Sequence, residues 1–246
     1  MFHNQSGKRI INHLAANKEK MDREKTIKCI AIIGGTGKEG NGLAFRWIKA
    51  GYKVIIGSRE KQKAENAAKE VALLASAEFS GNIIAAENSD AVKKADIIVL
   101  TIPYQFHSEM LNRIKPDMNG KYLLDVTVPL VPPKVSIVQL PHEGSAALQA
   151  QAILGENARV ISAFQNISFE LLLGDNPIEC DVLVTGVDAQ AREVGLKLVK
   201  DAGLVGWDAG PLENSIIAEG LTSILIRLNK NYQVHSSGIK ITGITR

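Results

Sequence analysis

The stretch Gly34-Gly35-Thr36-Gly37-Lys38-Glu39-Gly40 decides how this chain folds. It holds the spacing G-x-G-x-x-G as Gly35, Gly37 and Gly40, a pattern that means little alone. Its setting supplies the meaning. Before it, Thr26–Gly34 (TIKCIAIIG) is a continuous apolar run that reads as a buried strand. After it, Leu43, Ala44, Trp47 and Ile48 recur at helical spacing across Lys38–Ala50, and Gly51 closes the helix. A strand feeding a helix through glycines offers free backbone N–H groups and the positive end of the helix dipole to an anion. Gly35 permits the tight turn, Gly37 lets backbone approach a pyrophosphate, and Gly40 lets helix and strand pack closely. A Walker A loop does not fit: Glu39 rather than Ser or Thr follows Lys38, and Ile32 stands where its first glycine belongs.

Outward from the turn, strands and helices alternate. Tyr52–Gly57 (YKVIIG) reads as the second strand and Glu60–Ala77 as a charged, Ala-rich helix. Ile83–Ala86 is a short strand, Asp90–Ala95 a helical connector, and Asp96–Ile102 (DIIVLTI) a strand buried on both faces and stopped by Pro103. Lys121–Val128 and Arg159–Ala163 are further strands. Apolar runs this continuous imply a parallel sheet covered by helices on both sides. Val128–Pro141 carries Pro129, Pro132, Pro133 and Pro141, so it is no regular element and separates the first βαβ set from the rest. Beyond it the pattern predicts helices at Gly144–Leu154, Ala189–Ala202 and Asn214–Asn229, and strands at Asp181–Thr185 and Leu204–Trp207. The last helix shows Ile216, Ile217, Leu221, Ile224 and Leu228 as an apolar stripe. The expected fold is α/β, a doubly wound parallel sheet with a smaller C-terminal α/β lobe.

The end of the second strand discriminates between dinucleotides. An NAD site places an acid there for the ribose 2′-OH. Here Ser58 and Arg59 stand in its place, with Lys63 one helical turn beyond, a set suited to a 2′-phosphate and hence to NADP. A solvated helix start, with Glu60 balancing the charge, is the bland alternative. At the same sheet edge, Ile102 and Pro103 face the ribose and nicotinamide side, and Tyr104 to His107 lie where they could cover the dinucleotide. Tyr104 and Phe106 also read as plain packing residues and His107 as a solvated helix residue; Asp125, a carboxylate inside a strand, is given no role.

Composition narrows the class. The net charge is +3, but residues 1–28 hold seven basic groups against three acidic ones, leaving 22 basic and 23 acidic groups in the rest. The basicity belongs to the N-terminal arm, so the body is not a nucleic-acid surface. Cys29 and Cys180 form no C-x-x-C and suit a reducing, cytoplasmic setting. No run approaches the ~20 apolar residues of a membrane span, and Asn12, His13 and Asn17 interrupt any signal-peptide core. The five histidines are scattered without a metal-site spacing, and no G-x-S-x-G elbow appears.

Taken in order, Gly34–Gly40, the G-S-R of Gly57–Arg59, L-T-I-P at Leu100–Pro103, P-L-V-P at Pro129–Pro132 and D-A-G-P-L-x-N-S at Asp208–Ser215 resemble the F420-dependent NADP oxidoreductases. The resemblance runs from about Thr26 to Ile241. It implies a Rossmann-type NADP-binding domain at 26–130 and a C-terminal lobe at 131–246 that completes a site for the deazaflavin coenzyme F420. Residues 1–25 are left as a flexible basic arm. By motif match, Gly35, Thr36, Gly37, Lys38, Glu39 and Gly40 surround the pyrophosphate, and Ser58, Arg59 and Lys63 the 2′-phosphate. Ile102, Pro103, Phe106, Val126 and Val128 border the dinucleotide, while Gln165, Asn166, Ile167 and Ser237 approach both cofactors. This chain carries Gln165 where some members have His, and Ser168-Phe169 where they have Pro-Ala. The implied reaction is direct hydride transfer between two stacked cofactors, with no catalytic side chain, and backbone N–H groups near Gln165–Ile167 meeting charge on the deazaflavin. A homodimer through the C-terminal helix is expected, its stripe needing a cover. An NADP-dependent reductase of a small imine or carbonyl, and a non-catalytic NADP(H) sensor with Phe169 filling the nicotinamide face, remain as alternatives.

Overall fold

A computed structural model of the chain describes residues 27–244; the arm expected at 1–25 lies outside the described residues. At its centre is β1 (Cys29–Ile33), whose last four residues are fully enclosed. It pairs in parallel with β2 (Lys53–Ser58) on one side and β4 (Ile97–Leu100) on the other. Beyond β2 lies β3 (Ile83–Glu87); beyond β4 lie β5 (Lys121–Asp125) and β6 (Ala158–Ser162), all parallel. Two more strands, β7 (Asp181–Gly186) and β8 (Val205–Pro211), extend the same sheet, antiparallel to β6 and parallel to each other. The expected doubly wound sheet is present, and the strands of the C-terminal region continue it edge to edge.

Alternation along β1 sorts its side chains to two faces, as the pleat requires. Ile30 and Ile32 face α1 (Lys38–Lys49), α2 (Lys61–Ala75) and α7 (Ala189–Asp201). Ala31 and Ile33 face α3 (Asn88–Lys94), α4 (His107–Ile114) and α5 (Ala146–Leu154). Both faces are covered, which is why the strands read as unbroken apolar runs. Trp47 of α1 ties the first face together: its indole N–H donates to Leu198 O (3.0 Å), and its ring meets Phe164 edge-to-face with centroids 5.8 Å apart. Several strands end sooner than their apolar runs. Ile102, Thr127 and Val128 leave the ladder after β4 and β5, Val126 keeps one bond to Leu100 O (3.1 Å), and all four line the space above the sheet.

Two elements depart from expectation. A short helix, α6 (Phe169–Leu172), interrupts the loop after β6. The last helix, α8 (Ser215–Tyr232), turns much of its predicted apolar stripe outward: Ile217, Ile224 and Leu228 are exposed, while Ser215, Glu219 and Ser223 are buried. The inward polar groups have partners. Glu219 accepts the N–H groups of Ala146 (2.7 Å) and Ala147 (3.0 Å) at the start of α5, and the hydroxyls of Ser215 and Ser145 lie 2.6 Å apart. Burial pushes the Glu219 carboxyl up to about 8, against the opposing pull of those two N–H groups.

Gly195, inside α7, reports how tightly α7 sits on the sheet: a Cβ there would come 2.6 Å from Val184 Cγ1 and 2.7 Å from Ile161 Cγ2. Helix propensity alone favours Gly195→Ala by about 1 kcal/mol. Overpacking against two stiff β-branched residues costs about 1–3 kcal/mol. The expected outcome in chemical denaturation is a net loss of stability; a gain would contradict this packing.

Candidate functional site

The strand order reverses between β1 and β4, and the loops leaving the carboxyl ends of β1, β2, β4, β5 and β6 gather at that edge. The glycine turn is built as its sequence requires. Gly34 takes φ 78°, the left-handed region, and Gly37 N–H closes the turn onto Gly34 O at 3.1 Å. A Cβ on Gly40 would lie 2.6 Å from Gly35 Cα, so helix and turn touch where only glycine fits. Gly37 differs. At φ −80° its nearest obstacle to a Cβ is Gly34 O at 3.5 Å, an ordinary contact. Neighbouring protein therefore leaves room for a side chain at this glycine.

From Gly37, Lys38 and Glu39 a cleft of about 980 Å³ runs across the sheet edge. Ile102 to Gln105 and Val126 to Val128 form its floor. Leu130 to Pro132, with Val135, close one side, and Phe164 to Phe169 the other. Thr222, Leu225, Ile226 and Asn229 of α8, with His235 and Ser237 after it, complete the far end. The volume lies at the upper end of ligand pockets, about 300–1,000 Å³, and accommodates two flat ring systems.

Among the polar side chains that line this space, three carry a buried atom without a protein partner: Glu39 Oε1, Thr127 Oγ1 and Gln165 Oε1. Burial pushes the Glu39 carboxyl up to about 8, so near neutral pH it carries a proton and can donate rather than repel an anion. Gln165 is oriented by its amide N–H groups, which donate to Asp125 O and Ser162 Oγ, both at 2.8 Å. Thr222 Oγ1 donates to Gln165 O at 2.8 Å. Phe164 holds the loop from below at φ 75°, a strained value for a non-glycine residue, fixed by its packing on Trp47.

The cleft brings together Gly37, Lys38, Glu39, Ile102, Pro103, Val126, Val128, Gln165, Asn166, Ile167 and Ser237 of the sequence-derived set. Gly35 and Gly40 lie beneath the turn, buried, and Thr36 stands exposed at its rim. Ser58, Arg59, Lys63 and Phe106 lie outside the cleft. The Arg59 guanidinium sits 5.6 Å from the Phe106 ring centroid and has no carboxylate partner among the described residues. Lys63 is paired with Glu60 at 2.6 Å, and Ser58 Oγ accepts Glu60 N–H at 3.3 Å. One expected backbone donor, at Ile167, is already used, and the Asn166 side chain is also engaged. Ile167 N–H is bonded to Phe164 O (3.0 Å), and Asn166 donates its side-chain N–H to Asp181 O (2.7 Å). The Ser237 hydroxyl likewise donates to Leu225 O at 3.3 Å.

His107 corrects its sequence reading. Rather than solvated, it is fully enclosed, its Nε2 2.7 Å from Asp125 Oδ2, because α4 begins directly over the end of β5. Sequence reasoning also missed Arg46, which anchors α6 to α1 by donating to Leu172 O (2.8 Å), Leu171 O (2.9 Å) and Asn176 O (3.2 Å). On the other side of α6, the Lys38 ammonium lies 4.8 Å from the Phe169 ring centroid. Thr222, Leu225 and Ile226 were missed because the periodicity of α8 marks a more apolar face than the one it turns inward.

Comparison with known proteins agrees with this geometry. Residues 29–129 match the family of coenzyme F420-dependent NADP oxidoreductases. The F420-dependent NADP reductase of Methanocaldococcus jannaschii is 40% identical over 87% of this chain and 98% of its own length. That of Methanothermobacter thermautotrophicus is 41% identical over 87% and 95%. A crystal structure from Arthrobacter sp. FB24, described as an F420-dependent NADP reductase, superposes with a TM-score of 0.72 at 24% identity, over 88% of this chain and all of that one. On these matches the chain belongs to the F420-dependent NADP reductase family.

Proposed function

We propose that this protein transfers a hydride between NADP(H) and coenzyme F420, the two rings stacked directly on one another in the cleft. The observation that carries the reading is the single continuous cleft joining the glycine turn at the start of α1 to the inward face of α8. Residues 26–130 hold the dinucleotide, and 131–246 complete the deazaflavin side.

The chain's own residues have limited tasks. Backbone N–H groups of Lys38 and Glu39 at the start of α1, with the protonated Glu39 carboxyl, take the pyrophosphate, while the Gly37 N–H stays on Gly34 O. Arg59 is free to grip the 2′-phosphate; Lys63 joins it by leaving Glu60, which lies beside it on the surface. Ile102, Pro103, Val126 and Val128 give the nicotinamide an apolar floor, and the partnerless Thr127 Oγ1 and Gln165 Oε1 are available to its amide or to the deazaflavin edge. Nicotinamide and deazaflavin supply the hydride chemistry between them, so the protein is asked for distance, stacking and water exclusion. The open volume favours this reading over a sensor whose nicotinamide face is filled by Phe169, since that ring lies in the lining, against the Lys38 ammonium.

The reading carries a homodimer in the cytoplasm. The exposed Ile217, Ile224 and Leu228 of α8 lie beside the proline segment, whose Ile137 and Val138 are also exposed. Together they make an apolar face suited to a second copy. Both cysteines are free, and no helix among the described residues is long and apolar enough to cross a membrane.

Mixing the protein with NADPH and oxidised F420 should bleach the deazaflavin absorbance with saturable kinetics. Tight NADPH binding without bleaching would remove F420 as the second substrate. Arg59→Ala should weaken NADPH about 10- to 100-fold, the worth of charge-assisted hydrogen bonds to one phosphate, while leaving NADH nearly unchanged. Equal losses for both would contradict the 2′-phosphate role.

A further inference from the structure

Behind the floor of the cleft lies a polar cluster that hydride transfer does not use. Asp125, the last residue of β5, is fully buried and holds three things at once. Its Oδ2 faces His107 Nε2 at 2.7 Å, its Oδ1 accepts Thr127 N–H at 3.0 Å, and its backbone oxygen accepts the Gln165 amide at 2.8 Å. The other ring nitrogen of His107, Nδ1, lies 3.1 Å from Gln149 Oε1.

A proton count follows from these partners. Gln149 donates its amide N–H to Glu143 Oε2 (3.2 Å), so its oxygen is the atom turned toward His107, where it also accepts from Ser108 Oγ (3.3 Å). Flipping the amide would set its oxygen against the Glu143 carboxylate. Nδ1 therefore faces an acceptor with no hydrogen of its own and must donate. Nε2 faces Asp125 Oδ2 while Asp125 Oδ1 accepts the Thr127 N–H, so both carboxylate oxygens are placed as acceptors and Nε2 donates too. A ring that donates from both nitrogens is an imidazolium. Burial alone would lower the His107 pKa, but the charge and hydrogen bond of Asp125 and the Gln149 contact outweigh it, with Glu219 adding to the rise. The charged ring consequently persists above the usual imidazole range. It does so where both burial and the positive end of α4 oppose it.

We infer that His107 is a buried imidazolium that acts through Asp125 as a positioning residue, keeping the wall behind Val126 and Thr127 electrically neutral and so setting the balance between the oxidised, cationic nicotinamide and its reduced, neutral form. The inference rests on the nicotinamide lying against Val126 and Val128, as proposed above. With His107 charged, the pair adds no net charge to the wall. Without that charge, ionised Asp125 stands uncompensated one residue behind the cleft and attracts the cationic ring. The other ionisable groups facing the pair are Glu219 of α8, Tyr104 before α4 and, through Gln149, Glu143.

The test uses the full chain without F420. In 15N-histidine-labelled protein at pH 7, one histidine should show both ring nitrogens protonated, above the ordinary imidazole midpoint; that signal should vanish in His107→Gln. Affinities for NADP+ and NADPH are then compared from pH 6 to 9. In His107→Gln the preference for NADP+ should rise about three- to tenfold over wild type at pH values where the wild-type ring is still protonated, because Asp125 has lost its cationic partner, and the difference should shrink as pH rises through the His107 pKa. The double variant His107→Gln/Asp125→Asn should return to the wild-type ratio; Glu219 is common to all three, so its titration cancels. A purely structural role would weaken both nucleotides alike, with no recovery in the double variant, and that pattern or a neutral His107 ring would overturn the inference. If His107→Gln does not fold, Gln149→Leu at a half-buried position decides the proton count. Losing the second acceptor should let one ring nitrogen deprotonate near neutral pH, and an unchanged pair of protonated nitrogens would contradict the count. Failure of either nucleotide to bind would contradict the site reading itself, while the ring signals still decide the proton count.

Discussion

The approach of Gly40 to Gly35, too close for a Cβ, sets the position of everything else in the cleft. It presses the start of α1 onto the end of β1, so that the turn's N–H groups and the helix dipole share one point in space. From there α1 acts as a rigid rod. Its Trp47 reaches α7 and the strained Phe164, which in turn carries Gln165 and Asn166 to the cleft. One residue earlier, Arg46 grips the end of α6 through three carbonyl oxygens, fixing the helix that begins at Phe169. The cleft wall from Phe164 to Phe169 is thus referenced to the glycine turn through a single helix. Two reacting rings need that common reference, because their separation governs transfer more than any acid or base does.

Electrostatics in this space is a matter of keeping charge out. The floor is Ile102, Pro103 and Val126, and three carboxyl groups around it are held neutral or paired, while the Lys38 ammonium stands at the glycine-turn end over the Phe169 ring. Glu39 is raised to about 8 by burial, Glu219 likewise despite two N–H donors, and Asp125 is matched by His107. An uncompensated charge beside a nicotinamide would favour one redox state over the other, whereas a neutral wall leaves the cofactors' own potentials to set direction. The Arg59 guanidinium lies outside the cleft, just past the end of β2, where the proposed reading gives it the 2′-phosphate.

The sheet and its anion turn were legible because their signals are local. Runs such as TIKCIAIIG followed by spaced glycines have one good solution, and residues 29–129 carry most of it. The residues at strand ends (Ile102, Val126 and Val128) were also legible, because parallel strands must deliver their carboxyl ends to one edge. What was not legible depends on distant partners. The apolar stripe of α8 points outward, since its inward face is chosen by Glu219 meeting the N–H groups of α5 and by Thr222 meeting Gln165 O. His107 resembles any polar residue at a helix start until β5 places Asp125 beneath it. Ile167 looked like a free donor until the turn of the loop spent its N–H on Phe164. None of these pairings leaves a periodicity in the chain.

The central claim is that hydride passes directly between two stacked rings in a cleft that supplies no exchanging acid or base. Its most direct test starts from NADPH carrying deuterium at the transferring C4 position, mixed with oxidised F420 in ordinary water. The account predicts that the label appears quantitatively at the deazaflavin carbon and that none reaches the solvent. Deuterium washed into water, or reduced F420 carrying solvent hydrogen at that carbon, would contradict it.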